Sequence, residues 1–113
     1  QYERRVDVIK IDIEGREYPA MRGAVKTLMR HRPIVFSEFT PDAMPGVSGC
    51  APEEFLQFMF GLGYSASVVN IDGSGIVHCE QDVKRVMQEV ESDILRSRGM
   101  RHLDILFKHN SIH

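Results

Sequence analysis

Three acidic side chains lie at the ends of two apolar runs in this sequence. Asp12 and Glu14 close the run Val6–Ile13, and Glu38 lies near the end of the run Ile34–Phe39. Ligands of open α/β sheets bind beyond the carboxyl ends of the strands, so two adjacent parallel strands would bring the three acids to one rim. Clustered carboxylates raise one another's pKa and can remove a proton from a hydroxyl group, or they can bind a divalent cation. The alternative role is structural, with Asp12 and Glu14 accepting hydrogen bonds from the turn and the next helix.

The histidines and cysteines show no comparable arrangement. The five histidines lack ligand spacing such as H-x-x-x-H, so we predict no metal site built on them. Cys50 and Cys79 are too few for a disulfide framework and lack C-x-x-C spacing, so we predict that both are reduced and structural. Lys10, inside an apolar run, is expected to protect a strand edge from aggregation.

The composition excludes several classes of protein. A chain of 113 residues with 42% hydrophobic and 27% charged residues is expected to fold as one soluble domain. Its 14 basic and 16 acidic side chains alternate along the chain, which gives no electrostatic reason to expect nucleic acid or an anionic membrane as partner. The apolar runs are short, so we expect no membrane span and a cytoplasmic protein.

Strand and helix patterns alternate along the chain. The runs Val6–Ile13 and Ile34–Phe39 are predicted strands, the first with both faces covered. Between them, Glu17–His31 has the spacing of an amphipathic helix with a kink at Gly23. The segment Thr40–Ala51 has no periodic pattern and is predicted to be a mobile surface loop.

The second half of the chain continues the alternation and ends with a hairpin, a helix and a strand. The predicted elements are a helix over Pro52–Leu62, a strand over Tyr64–Ile71, a turn at Asp72-Gly73, a strand over Gly75–His78, a helix over Glu80–Ser97 and a strand over His102–Lys108. Strands separated by helices favour a parallel sheet. The sequence therefore predicts an α/β fold, mostly parallel, with a terminal antiparallel hairpin or strand.

Several short motifs occur in an order and at a spacing that together are specific. They are K-I-D-I-E-G at residues 10–15, R-G-A at 22–24, R-P at 32–33, Glu38, and G-Y at 63–64. With them the sequence resembles the FkbM family of S-adenosylmethionine-dependent methyltransferases, and D-I-L-F at 104–107 resembles the last strand of that family. The resemblance implies the C-terminal half of a class I, Rossmann-like methyltransferase sheet, with Val6–Ile13 as its fourth strand and Ile34–Phe39 as its fifth.

The resemblance also implies a cofactor and roles for the acids. In the complete protein, S-adenosylmethionine would donate a methyl group to a hydroxyl of a small molecule or glycan. Asp12 would bind near the reacting methyl, and Asp12, Glu14 and Glu38 are the candidate catalytic residues. The glycine-rich turn and the ribose-binding acid of such folds are absent from this sequence. We therefore expect residues 1–113 to be a single domain that lacks the cofactor-binding half and is inactive alone.

The missing neighbour of the first strand leads to a prediction about partners. An apolar strand edge tends to pair with another chain, so we expect a homodimer or higher assembly through strand 6–13 or helix 80–97. Two other functions remain open. One is a non-enzymatic interaction module on the same scaffold, because a fold does not fix a function. The other is a magnesium-dependent enzyme with Asp12, Glu14 and Glu38 as ligands.

Overall fold

A computed structural model of the chain describes residues 5–13, 15–69, 75–96 and 103–111. The strands are β1 (Val8–Ile11), β2 (Ile34–Phe39), β3 (Tyr64–Val69), β4 (Ile76–Glu80) and β5 (Leu103–His109). The helices are α1 (Glu17–Gly23), α2 (Val25–His31), α3 (Met44–Ser48), α4 (Pro52–Gly61) and α5 (Val83–Arg96). This order makes a mixed α/β fold, as the sequence predicted. The turn predicted at Asp72-Gly73 lies outside the described residues.

The five strands form one sheet in the order β1-β2-β5-β3-β4. β1 and β2 pair in parallel, and the other three pairings are antiparallel. The prediction of a mostly parallel sheet is therefore wrong, and the reason is the position of β5. β1, β2 and β3 run in the same direction and are connected through helices, but β5 lies between β2 and β3 and opposes both of them.

The core lies between one face of the sheet and a layer of helices. α1, α4 and α5 contact one another in that order, and they pack on β2, β3 and β4. Phe55 of α4 is at the centre, 6.3 Å from the ring of Phe39 and 5.6 Å from the ring of Phe107. All three rings are fully buried. Aromatic packing of this kind contributes about 0.5–1.5 kcal/mol per pair beyond the area that it buries.

The first elements confirm one prediction and correct another. The predicted helix divides at Ala24 into α1 and α2, which confirms the kink expected beside Gly23. β1 is shorter than the predicted strand, and Val8 is 61% exposed. Within the described part of the chain only one face of β1 is packed, so the prediction that both its faces are covered is wrong.

Two helices account for the rest of the architecture. The segment predicted as a loop contains α3, which buries Met44, and is followed by the buried Cys50. α5 buries Val86 and Val90 against β3 and β4, so its apolar stripe packs on the chain's own sheet. None of the described helices combines the length and the apolar character needed to cross a bilayer.

Candidate functional site

The parallel pairing of β1 and β2 places the first two predicted acids side by side. Ile11, the last residue of β1, is in register with Ser37 of β2. Asp12 directly follows Ile11, and Glu38 directly follows Ser37. A side-chain hydrogen bond joins the carboxyl groups of Asp12 and Glu38. Glu38 alternates with the buried Ser37 and Phe39, so it lies on the sheet face away from the helices. The expected meeting of Asp12 and Glu38 at one rim is therefore what the structure has.

A third acid joins this pair from the last strand. Asp104 of β5 lies directly opposite Glu38 in the antiparallel register of β2 and β5. We refer to Asp12, Glu38 and Asp104 as the rim cluster. From the sequence, Asp104 is recognised only as part of the D-I-L-F motif of the last strand and is not connected with the site. Since strand order decides which acids become neighbours, a motif in sequence does not reveal this contact. The third predicted acid, Glu14, lies outside the described residues.

The rim cluster changes the protonation of Glu38. Burial raises the pKa of Glu38 most, and the hydrogen bond that protonated Glu38 donates to Asp12 and the charges of Asp12, Glu17 and Asp104 raise it further. Together these effects move the pKa from its ordinary value of 4.5 to about 7. Near neutral pH the carboxyl group therefore binds a proton far more readily than an ordinary glutamate does. A carboxyl with a pKa near the working pH is suited to accept or donate a proton during a reaction.

A buried acid holds the turn that follows Asp12. Glu17, in the first turn of α1, is fully buried. One carboxylate oxygen accepts a hydrogen bond from the Gly15 amide at 2.9 Å, and the other accepts one from the Ile13 amide at 3.1 Å. A buried carboxylate is costly unless such donors compensate for its lost hydration. The turn and the helix start are thus joined by a single side chain.

The other side of the same turn rests on the segment that contains α3. Gly15 has a φ of +98°, and a Cβ built there would lie 3.3 Å from atoms of Ala43. The Ser48 hydroxyl donates a hydrogen bond to the Gly15 carbonyl. At the end of β2, the Thr40 hydroxyl oxygen is buried and has no hydrogen-bond partner among the described residues. A glycine is required at position 15 by both its backbone conformation and its close contact.

Other candidate chemistry is absent from the described part of the chain. No group of three or more His, Cys, Asp or Glu side chains there is arranged to hold a metal ion. Cys50 and Cys79 are both buried, which agrees with the structural role predicted for them. Burial is the main cause that raises the pKa of each thiol, and a raised pKa makes a cysteine a poorer nucleophile at neutral pH.

Two shallow grooves lie away from the rim cluster. One, of about 320 Å³, runs over the exposed face of β3, β4 and β5 beside Ser67 and His78. The other, of about 230 Å³, lies beside β1 near Arg5 and Arg32. Neither is lined by Asp12 or Glu38. Among the described residues, the rim cluster is thus the place where several acids lie together near strand ends and where one of them, Glu38, has a raised pKa.

Comparison with known proteins supports the resemblance seen in the sequence. The profile of a family described as the methyltransferase FkbM domain matches residues 1–66, from before β1 into β3. No curated protein and no solved structure matches the chain. The matched region includes Asp12, Glu17 and Glu38 and covers more than half of the 113 residues. The chain therefore belongs to the FkbM methyltransferase domain family.

Proposed function

We propose that this chain is the C-terminal part of a methyltransferase domain that transfers a methyl group from S-adenosylmethionine to an oxygen nucleophile. The observation that carries the proposal is the Asp12–Glu38 pair, in which the pKa of Glu38 is raised to about 7. Membership of the FkbM methyltransferase domain family supplies the reaction class. The acceptor that we propose is a hydroxyl group of a small molecule or glycan.

The residues of the rim cluster are suited to separate parts of this reaction. When bound, S-adenosylmethionine supplies a methyl group on a positively charged sulfur, and its transfer leaves a neutral thioether. In our proposal, ionised Glu38 accepts the proton of the acceptor hydroxyl while the oxygen attacks the methyl carbon. Asp12 lies beside Glu38, and its carboxylate would favour the binding of a positively charged sulfonium. The displacement needs mainly alignment and proton removal, so one well-placed carboxylate suffices. We keep Glu14 as a candidate catalytic residue because of its place in the K-I-D-I-E-G motif.

The strand directions support the proposal that this is half of a class I sheet. β1, β2 and β3 run in the same direction, and β5 opposes its two neighbours, β2 and β3. We equate β1 with the fourth strand, β2 with the fifth, and β3 with β5 as the terminal antiparallel pair. Most of the strand pairings are then antiparallel because β5 is inserted between β2 and β3, and because β4 pairs with β3 at the edge of the sheet.

The described residues fit only one part of the cofactor. Carboxylates of the rim cluster suit a positively charged sulfonium, and the unpartnered Thr40 hydroxyl close to Glu38 in sequence could form one further hydrogen bond. The sequence has no G-x-G-x-x-G after a strand, the motif that provides a glycine-rich turn for a nucleotide. We therefore propose that the chain alone does not bind S-adenosylmethionine productively and is inactive.

Calorimetric titration with S-adenosylhomocysteine tests this proposal. We would titrate the 113-residue chain and a form extended at its N-terminus by about 120 residues, a typical domain length. Binding by the longer form alone is the expected result. Failure of both forms to bind would contradict the methyltransferase proposal and favour a non-enzymatic interaction module. Binding that requires Mg²⁺ would favour the metal-dependent alternative.

A matched pair of variants in the extended form tests the role of Glu38. Glu38→Gln keeps the size and hydrogen bonding of the side chain but cannot accept a proton, so we expect methyl transfer to fall by about 10²-fold or more. Glu54→Gln is the control, because Glu54 is exposed on α4 and accepts a hydrogen bond from the Ala51 amide at 2.9 Å. Equal activity of Glu38→Gln and the wild type would remove Glu38 from the mechanism.

We also propose that the chain self-associates through the free edge of β1. Among the described strands β1 pairs only with β2, and Val8 on this strand is 61% exposed. The apolar stripe of α5 packs on its own sheet, so we favour the strand over the helix as the contact. An unpaired edge of β-branched residues favours pairing with a second chain.

We also propose a cytoplasmic location, because two buried thiols without a disulfide suit a reducing compartment.

A further inference from the structure

Glu17 is the most deeply buried acid among the described residues, and its contacts suggest more than a contribution to stability. It is fully buried, and each of its two carboxylate oxygens accepts a backbone hydrogen bond. The donors are the amides of Ile13 and Gly15, which belong to the turn directly after Asp12. Hydrogen bonds to a charged acceptor are stronger than those between neutral groups. A single side chain therefore determines the path of the backbone where it leaves β1.

The turn is also fixed from the opposite side. Atoms of Ala43 lie 3.3 Å from the position of a Cβ on Gly15, and the Ser48 hydroxyl donates to the Gly15 carbonyl. The turn therefore lies between α1 and the segment that contains α3 and has little freedom to shift. Because Asp12 is bonded directly to Ile13, the position of its carboxylate beside Glu38 depends on this arrangement.

The charge of Glu17 reaches the proposed proton acceptor. Three charged groups act on Glu38: Asp12 at the end of β1, Glu17 on α1 and Asp104 on β5, and each raises its pKa. The charge of Glu17 on α1 thus acts on a carboxyl group of a neighbouring element, β2. Both the geometry of the turn and the electrostatics thus connect Glu17 with the rim cluster.

We propose that Glu17 is a positioning residue of the rim cluster, which holds Asp12 against Glu38 through the turn. Its negative charge also acts on Glu38 and favours the protonated form of that carboxyl. The proposal rests on the proposed function for its catalytic meaning. Glu17 touches neither substrate nor cofactor in this scheme and acts through Asp12 and Glu38.

Two substitutions separate the effect of the charge of Glu17 from the effect of the length of its side chain. Glu17→Gln keeps the length of the side chain and removes the charge, whereas Glu17→Asp keeps the charge and is one methylene shorter. Glu54→Gln is the control, because Glu54 also accepts a backbone hydrogen bond at the start of a helix and does not act on Glu38. All are made in the 113-residue chain. The side-chain carboxyl of Glu38 is titrated by NMR, and hydrogen exchange is measured at the Ile13 and Gly15 amides.

In Glu17→Gln we expect the proton affinity of Glu38 to fall by about twofold to tenfold, because one nearby negative charge is gone. In Glu17→Asp we expect the titration of Glu38 to stay closer to that of the wild type. Exchange at the Ile13 or Gly15 amide should become about tenfold faster or more, because the shorter side chain loses one of its two hydrogen bonds. Glu54→Gln should change neither measurement.

Unchanged Glu38 titration in a folded Glu17→Gln variant would overturn the inference. If that variant does not fold, hydrogen exchange tests the inference instead. Rapid exchange of the Ile13 and Gly15 amides in the wild type would overturn it, and so would full protection of both amides in Glu17→Asp. These outcomes are independent of the methyltransferase proposal. Absence of cofactor binding by the extended form would refute that function while the effect of Glu17 on Glu38 remained measurable.

Discussion

The raised pKa of Glu38 predicts an unusual dependence of stability on pH, which the substitution Glu38→Gln would expose. At pH values below 4.5 the folded and unfolded states both bind a proton at Glu38, so this residue does not favour either state. Between pH 4.5 and about 7 the folded state keeps a proton that the unfolded chain releases. The free energy of unfolding therefore falls as pH rises through this range, and the loss is complete above pH about 7.

The size of the effect follows from the shift. A pKa change from 4.5 to about 7 corresponds to about 3 kcal/mol at full strength. Glu38 is only half-buried at the open face of the sheet, so solvent screening reduces this to about 1–2 kcal/mol. Glutamine resembles the protonated acid, because its amide can donate a hydrogen bond to Asp12 at any pH. The free energy of unfolding of Glu38→Gln should thus equal that of the wild type near pH 4 and exceed it by about 1–2 kcal/mol near pH 8.

Urea unfolding at a series of pH values measures this difference. The chain has no tryptophan, so far-ultraviolet circular dichroism is the appropriate signal. The control Glu54→Gln carries the same chemical change at an exposed site, and we expect its stability to follow that of the wild type between pH 5 and pH 8. Parallel pH profiles for Glu38→Gln and the wild type would show that the carboxyl of Glu38 is not perturbed, and the argument for a proton acceptor at the rim would fail.

Three further changes probe the scaffold and its partner surface. Gly63→Ala should lower the free energy of unfolding by about 2 kcal/mol in urea titrations, because Gly63 has a φ of +94° and a Cβ there would lie 2.7 Å from the His109 ring. Tyr64→Phe should cost about 1–2 kcal/mol in the same assay, since the buried hydroxyl donates to the Pro33 carbonyl at 2.7 Å; an unchanged midpoint would contradict this. Val8→Lys should convert a self-associated wild type to monomer in sedimentation velocity, and a wild type that is monomeric at high concentration would refute the β1 contact.

The part of the site formed by consecutive parallel strands could be predicted from sequence. Apolar runs located β1 and β2, and the rule that ligands bind at the carboxyl ends of strands placed Asp12 next to Glu38. The kink at Gly23 followed from helix propensity alone. These inferences depend on short-range patterns, in which a residue's position in its own strand or helix determines the direction of its side chain.

Strand order could not be obtained in the same way. The alternation of Ile105 and Phe107 identified β5 as a strand, but no local pattern shows that it lies between β2 and β3. The sheet was therefore predicted to be mostly parallel, and Asp104 was not placed in the rim cluster. Which strands pair depends on the packing of the whole core, to which distant segments contribute together.

The role of Glu17 was missed for a different physical reason. An acid in the first turn of a helix is usually exposed and interacts favourably with the helix dipole, so its presence there needs no special explanation. Its complete burial is a property of the folded chain that residue type and position in the helix do not predict.

The placement of β5 also constrains how the polypeptide reaches its native state. Val35 pairs with Phe107, and Ala66 pairs with the same residue from the other side, so the centre of the sheet is completed by a segment that is synthesised after both of its neighbours. Until residues 103–109 are synthesised, β2 and β3 lack their shared partner and present unsatisfied backbone groups to the cell. Contacts that span so much of the chain slow folding. We therefore expect this sheet to form more slowly than one whose neighbouring strands are also neighbours in sequence.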